Sequence, residues 1–133
     1  ALERQGRDQL SQQLRDALDK GKAILARDYL SALDWRQVLN AGIDELLTRC
    51  DAILCPAATG PAPELSQGST GSPAMNGPWT LCGVPAITLP LLADDGGRPM
   101  GVQLIGRRGE DARLIRTATW LMRRQAHEKG VAR

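Results

Sequence analysis

The chain has 133 residues and a formal net charge of +2, which suits one small domain or a piece of a larger one. Hydrophobic residues make up 42% and charged residues 24%, a globular balance that excludes disordered, collagen-like and disulfide-rich classes. No apolar run approaches the roughly 18 residues of a membrane-spanning helix, and residues 1–30 are too charged for a signal peptide. The chain opens on Ala1 rather than Met, which points to a truncated or processed product. Aromatic residues are few (Tyr29, Trp35, Trp79 and Trp120), so a core must be built from Leu, Ile, Val and Ala.

Leu10, Leu14, Leu18, Ile24 and Leu25 recur at near-helical spacing, and residues 7–33 read as a helix that Gly21 could bend. Ser31 followed by Asp34 is a capping-box signal for a second helix over 32–49, with an apolar stripe of Leu39, Ile43, Leu46 and Leu47. One continuous helix through both is the alternative, so 7–49 is expected to be helical either way. Residues 52–55 form a short, wholly apolar run closed by Pro56, the pattern of a buried strand needing cover on both faces. Residues 56–78 carry Pro56, Pro61, Pro63, Pro73 and Pro78 among Gly and Ser, and read as a long loop. Loops of that length inside a compact domain are usually functional, disordered or packed against something else.

Residues 86–105 read as an antiparallel hairpin. Ala86–Leu91 alternates into Pro90, which argues for an edge, a bulge or an early end; Asp94-Asp95-Gly96-Gly97 is a turn; Met100–Ile105 returns. Glu110 and Asp111 place acid at the start of a helix over 110–128, whose stripe is Leu114, Ile115, Ala118, Leu121 and Met122 and whose stop is Gly130. Three strands, one set apart by the loop, make an uncomfortable free-standing sheet, so neighbouring polypeptide is expected to complete it.

Charge is uneven. Between Ala52 and Ala93 the only charged residue is Glu64, whereas Arg98, Arg107, Arg108, Arg113, Arg116, Arg123, Arg124, Lys129 and Arg133 face only Glu110, Asp111 and Glu128. A solvated helix face explains the basic excess better than a nucleic-acid surface, because no aromatic stacking platform is recognised beside it. The cysteines Cys50, Cys55 and Cys82 are odd in number and read as free thiols in a reducing, cytoplasmic compartment. A C-x4-C pair with the distant His127 is a poor zinc set, so no metal is expected.

Three blocks carry a family likeness: Asp51-Ala-Ile-Leu-Cys-Pro56, Trp79-Thr-Leu-Cys-Gly83-Val-Pro85-Ala-Ile-Thr-Leu-Pro90 and Gly97-Arg-Pro99-Met-Gly101-Val-Gln103-Leu-Ile-Gly106-Arg107. Taken in order, they resemble the C-terminal portion of the amidase signature family, over about Tyr29 to Leu121. Residue chemistry fits the blocks independently. Gly83 and Pro85 suit a tight approach to a strand, Gly101 admits a close neighbour, and Gln103 brings donors and an acceptor into an apolar strand.

The resemblance implies an α/β chain, or α+β fragment: the C-terminal part of an α/β/α sandwich with a mixed sheet, one β-hairpin and flanking helices, spanning 1–133. It implies hydrolysis of a C–N amide bond by a Ser–cis-Ser–Lys mechanism whose residues lie upstream, with no catalytic group in this segment and no cofactor. Trp79 and Thr80, beside the Pro/Gly-rich loop, are the candidate substrate-binding residues; the bland alternative is that Trp79 anchors the loop on the core. The implied partners are a small-molecule amide substrate and the missing N-terminal portion of the same chain. Self-association is expected if strand edges stay open, and neither membrane nor nucleic acid is.

Gln67-Gly-Ser69-Thr-Gly-Ser72 superficially resembles a nucleophile loop, but it lies outside the recognised blocks, and Lys20, Lys22 and Lys129 have no defined partner. A Cys82–His127 pair is a weaker candidate still. Two other readings stand beside the amidase: an amidotransferase subunit of the glutamyl-tRNA type, and a non-catalytic helical interaction module using 7–33 and 110–128. The last gives no reason for the three blocks.

Overall fold

A computed structural model describes residues 2–131. Arg133 and the Lys129 side chain, named above among the basic residues, fall outside what is described. The chain divides into two compact units, Ala1–Arg36 and Gln37–Arg133.

The first unit holds α1 (Leu2–Gly6), a 3-10 turn (Arg7–Gln9), α2 (Gln12–Lys22) and the start of α3 (Ala26–Leu46). The helix expected from residue 7 begins only at Gln12. Leu10 and Ser11 are extended, and Ser11 Oγ caps α2 by accepting from the Leu14 N–H at 3.3 Å. A second correction concerns Ser31. No boundary forms there; α3 runs through it, and the break falls at residues 23–25, just past Gly21. Gly21 weakens the last turn of α2, whereas Ala32 and Leu33 after Ser31 are strong helix formers that carry the helix onward. Among its described residues this unit buries no side chain; Tyr29, Leu30 and Trp35 remain exposed. Charge pairs tie it instead: Arg7 with Asp19 at 2.6 Å, Lys22 with Glu3 at 2.5 Å, and Arg7 with Glu3. Hydrogen bonds from Lys22 and Arg7 hold the Glu3 carboxyl below its ordinary range. These pairs are exposed, so solvent screening leaves each a small contribution to stability.

The second unit is built on a three-stranded sheet of β1 (Ile53–Pro56), β2 (Ala86–Ala93) and β3 (Pro99–Ile105), in the order β1-β3-β2, with both pairings antiparallel. The 52–55 strand is therefore not isolated: Leu54 pairs with Leu104 and Pro56 with Val102, so the long loop returns the chain to its own sheet. Pro90 sits where the β2–β3 register shifts between Leu89 and Leu92, on an edge strand that needs no N–H there. The expected 56–78 loop ends early. Short 3-10 turns form at Leu65–Gln67 and Pro73–Met75, and α4 (Gly77–Cys82) follows, with Pro78 in its first turn and Gly83 closing it at φ 66°. Six residues are too few for helical periodicity to show in sequence. The last helix, α5 (Asp111–Val131), continues through the expected stop at Gly130.

Alternation along β3 sends successive side chains to opposite faces. On one, Leu89 and Leu104 pack with Leu114 and Ala118 of α5. On the other, Ile105 and Gln103 are sealed, and Ile43, Leu47 and Cys82 form a cluster with Ile53, Trp79 and Val84. The double cover expected over β1 is incomplete: α5 packs on β2 and β3, and Leu54 stays 59% exposed. At the hairpin turn the Asp94 carboxylate accepts from the Arg98 N–H at 2.7 Å and Arg98 Nε at 2.8 Å. These bonds to Arg98 lower the Asp94 carboxyl below its ordinary value.

Gly101 is the tightest point. A Cβ there would lie 2.5 Å from Thr88 Cγ2 and 2.9 Å from Ala57 Cβ. Gly101→Ala is expected to cost about 1–3 kcal/mol by overpacking. Gly42→Ala, which meets nothing within 4 Å in α3, should instead stabilise by up to about 1 kcal/mol. Urea midpoints of the two variants test the contrast. Because the Asp94 carboxyl is depressed on folding, its stabilisation is present above the ordinary carboxylate pKa and lost as pH falls through the folded value. Asp94→Asn should flatten that acid limb of a Tm-against-pH curve and lower Tm near neutrality.

Candidate functional site

Where β1 ends and β3 begins, the loop 57–76 folds over the strand ends and lines a half-open cavity of about 260 Å³. Thr59, Pro61, Pro63, Thr70, Ser72 and Met100 line it, and no charged side chain does. The prolines fix φ without offering donors, so the walls are stiff and apolar with a few hydroxyls. Gly71, at φ 94°, takes a backbone conformation that favours glycine, and a Cβ there would be in ordinary contact with Pro63 Cγ at 3.7 Å.

Polar side chains close the loop at its base. Gln103, 1% exposed, donates from Nε2 to the Pro56 carbonyl at 3.0 Å and the Met75 carbonyl at 2.7 Å. Asn76 Nδ2 donates to the Ala57 carbonyl at 3.3 Å, and the Ala57 N–H donates to the Gly101 carbonyl at 2.9 Å. The sequence marks Gln103 as a polar residue in an apolar strand. Asn76 escapes notice because it lies within the segment read as a loop, where no polar side chain stands out, and its side chain makes no cap bond.

The structure places Trp79 half-buried on α4 against the Ile43–Leu47–Cys82 cluster, with Thr80 exposed beside it. Neither lines the loop cavity. Ser69 Oγ accepts from the Gly71 N–H at 3.1 Å and Ser72 Oγ from the Ala74 N–H at 3.3 Å, so both hydroxyls serve local turns. Neither bonds a lysine or histidine among the described residues. Cys82 is buried on the α4 face of the sheet, whereas His127 is exposed on α5, across the sheet. Among the described residues no cluster of three or more His, Cys, Asp or Glu could hold a metal ion.

Two wider grooves carry charge. One, about 590 Å³, includes Asp51, Arg113, Arg116 and Trp120, where Arg113 bonds Asp51 at 2.7 Å and Glu110 at 3.2 Å. The other, about 520 Å³, has Asp44, Glu45, Arg107 and Arg108 in its walls. Arg108 reaches the Cys82 carbonyl at the end of α4, where a cation complements the helix dipole. An exposed aromatic does accompany the basic residues of α5: Trp120, 64% exposed, lines one groove with Arg116 and Arg123. An isolated Trp among arginines forms no motif, so the sequence pattern does not announce it.

Comparison with known proteins adds a family context. Residues 1–115 match the family described as Amidase. A glutamyl-tRNA(Gln) amidotransferase subunit of Neisseria meningitidis serogroup C (strain 053442) is 37% identical over 97 residues, 68% of this chain and 20% of that protein. Fatty acid amide hydrolase of Medicago truncatula is 31% identical over 120 residues, 82% of this chain and 20% of that protein. A crystal structure of an amidase superposes with TM-score 0.79 at 30% identity, covering 92% of this chain and 30% of that one. The crystal structure of a glutamyl-tRNA(Gln) amidotransferase subunit from Thermotoga maritima gives TM-score 0.54 at 26% identity over 84% of this chain and 27% of that one. The chain thus spans about a fifth of the length of the curated relatives it matches.

Trp79→Ala should destabilise the second unit by about 2 kcal/mol, below the cost of a fully buried tryptophan. Thr80→Ala should stay within about 0.5 kcal/mol. Denaturant unfolding of both variants separates packing at Trp79 from exposure at Thr80.

Proposed function

The chain belongs to the Amidase family, and on that premise we propose that it is the C-terminal segment of an amidase that hydrolyses the C–N bond of a small, uncharged amide. The observation that carries this reading is the cavity under the 57–76 loop, whose lining offers hydroxyls and apolar surface but no charge. Such a lining offers an ionic group no charged partner, whereas its hydroxyls can hydrogen-bond a neutral amide.

In this proposal the bond-breaking groups are a Ser nucleophile, a cis-Ser and a Lys upstream of this segment. The Ser hydroxyl attacks the amide carbonyl while its proton passes through the cis-Ser to the Lys. Backbone N–H groups hold the oxyanion, the amine leaves with the returned proton, and water then frees the acid from the acyl-enzyme. This segment supplies a hairpin, a stiff loop and one wall of the pocket; Trp79 packs on the core and Thr80 is exposed, so neither is assigned to the loop cavity. Its partners are the amide substrate and the rest of the same protein. The exposed Leu54 on edge strand β1 supports a neighbouring strand there. No cofactor is invoked. No described helix is long and apolar enough to cross a membrane, and the free thiols of Cys50, Cys55 and Cys82 support a cytoplasmic location.

A second reading is an amidotransferase subunit of the glutamyl-tRNA type, favoured by 35–37% identity to several proteins of that name. It predicts glutaminase activity and co-purification with a second subunit.

The chain alone is expected to turn over no amide. Turnover by the pure chain, abolished by Ser69→Ala or Ser72→Ala, overturns the assignment of catalysis to an upstream portion. Joined to its upstream coding sequence, the protein should prefer neutral amides over glutamine by at least about tenfold in kcat/KM. The opposite preference selects the second reading.

A further inference from the structure

We infer that Gln103 is the positioning residue of the 57–76 loop: one side-chain amide holds both ends of the loop and so sets the shape of the cavity beneath it. Only the consequence for substrate rests on the function proposed above; the tether stands on geometry alone.

Gln103 lies on the central strand, so its backbone is fixed by pairing with Cys55 on one side and Thr88 on the other. Its Nε2 carries two N–H donors, and each finds a carbonyl: Pro56 at the start of the loop and Met75 at its end. Those two residues are far apart in sequence, and among the described residues no backbone hydrogen bond joins the two arms between them. The bonds inside the loop are local, such as Gln67 N–H to Glu64 O and Gly68 N–H to Leu65 O. Closure therefore rests on side chains: Gln103 as the buried tie, and Asn76 to Ala57 as an exposed one. Gly101, next along the same face, makes room for the first arm, because Ala57 occupies the space a Cβ would need. An acceptor-only or apolar side chain at 103 would remove the donor from two part-buried carbonyls.

Hydrogen–deuterium exchange and thermolysin nicking of the full chain test this. Gln103→Leu keeps the bulk and removes the donors; Gln103→Glu keeps the shape and faces two carbonyls with a carboxylate. Both should speed exchange and cutting within 57–76 by about ten- to a hundredfold, the loss expected for two net hydrogen bonds. Exchange in 86–105 should stay within about twofold of the parent. Loop protection unchanged in both variants overturns the proposal, and so does a loss spread evenly over loop and hairpin, which would make Gln103 a general core residue. Should either variant fail to fold, the parent protein decides by NMR. The Gln103 side-chain amide protons should exchange at least about tenfold more slowly than those of exposed Gln5 and Gln67. Equal rates overturn the tether. None of these readouts depends on amide turnover, so failure of the tether and failure of the amidase reading are separately visible.

Discussion

A strand covered on both faces cannot hold a polar side chain unless every buried donor finds an acceptor, and Gln103 is where this sheet meets that constraint. Its neighbours along β3 are apolar: Val102, Leu104 and Ile105 are all buried. The amide is accommodated because two parts of the chain distant in sequence, the last residue of β1 and the turn before α4, turn their carbonyls towards it. The consequence reaches outward. A Pro- and Gly-rich segment that buries little apolar surface of its own is closed at its base, and an uncharged cavity forms between it and β3.

Packing around the sheet is uneven in a way that matters for function. β3 is sealed by α5 on one face and by α3 and α4 on the other, while β1 and β2 are edges. The two edges differ. Pro90 and the register shift interrupt β2, a common means of discouraging further pairing, whereas β1 keeps Ile53, Leu54 and Cys55 in regular extension. The N-terminal unit has the same open character, with amphipathic helices whose Tyr29, Leu30 and Trp35 stay in solvent and whose ties are exposed ion pairs. Exposed apolar surface of this kind is a common mark of interaction sites.

Those features agree with a segment of a larger amidase better than with a free-standing module. The family match extends over residues 1–115, through α1 to α4, the loop and the hairpin and into the first turn of α5. The hydroxyls of Ser69 and Ser72 each accept a local backbone N–H, and Cys82 is enclosed by Ile43 and Leu47. What the segment contributes on this reading is shape: a stiff, uncharged wall held by a strand.

Local chemistry was legible in the residues themselves. The apolar run before Pro56, the Asp-Asp-Gly-Gly turn, the interruption at Pro90 and the close approach at Gly101 each follow from φ restriction, steric room or alternation within a few residues. The capping signal at Ser31 misled, because a cap matters only where the chain leaves the helix, and Gly21 with the residues after it decided where that happens. α4 was hidden by its shortness, and Asn76 by lying in a segment that reads as loop. Tertiary structure alone decided that β1 lies against β3, that Gln103 gathers two distant carbonyls, and that Trp79 turns to the core while Thr80 faces solvent. Such facts depend on which residues, far apart in sequence, come to share a face. A linear pattern fixes the period of side chains along one element, but the neighbour that meets them is set by the packing of the whole chain.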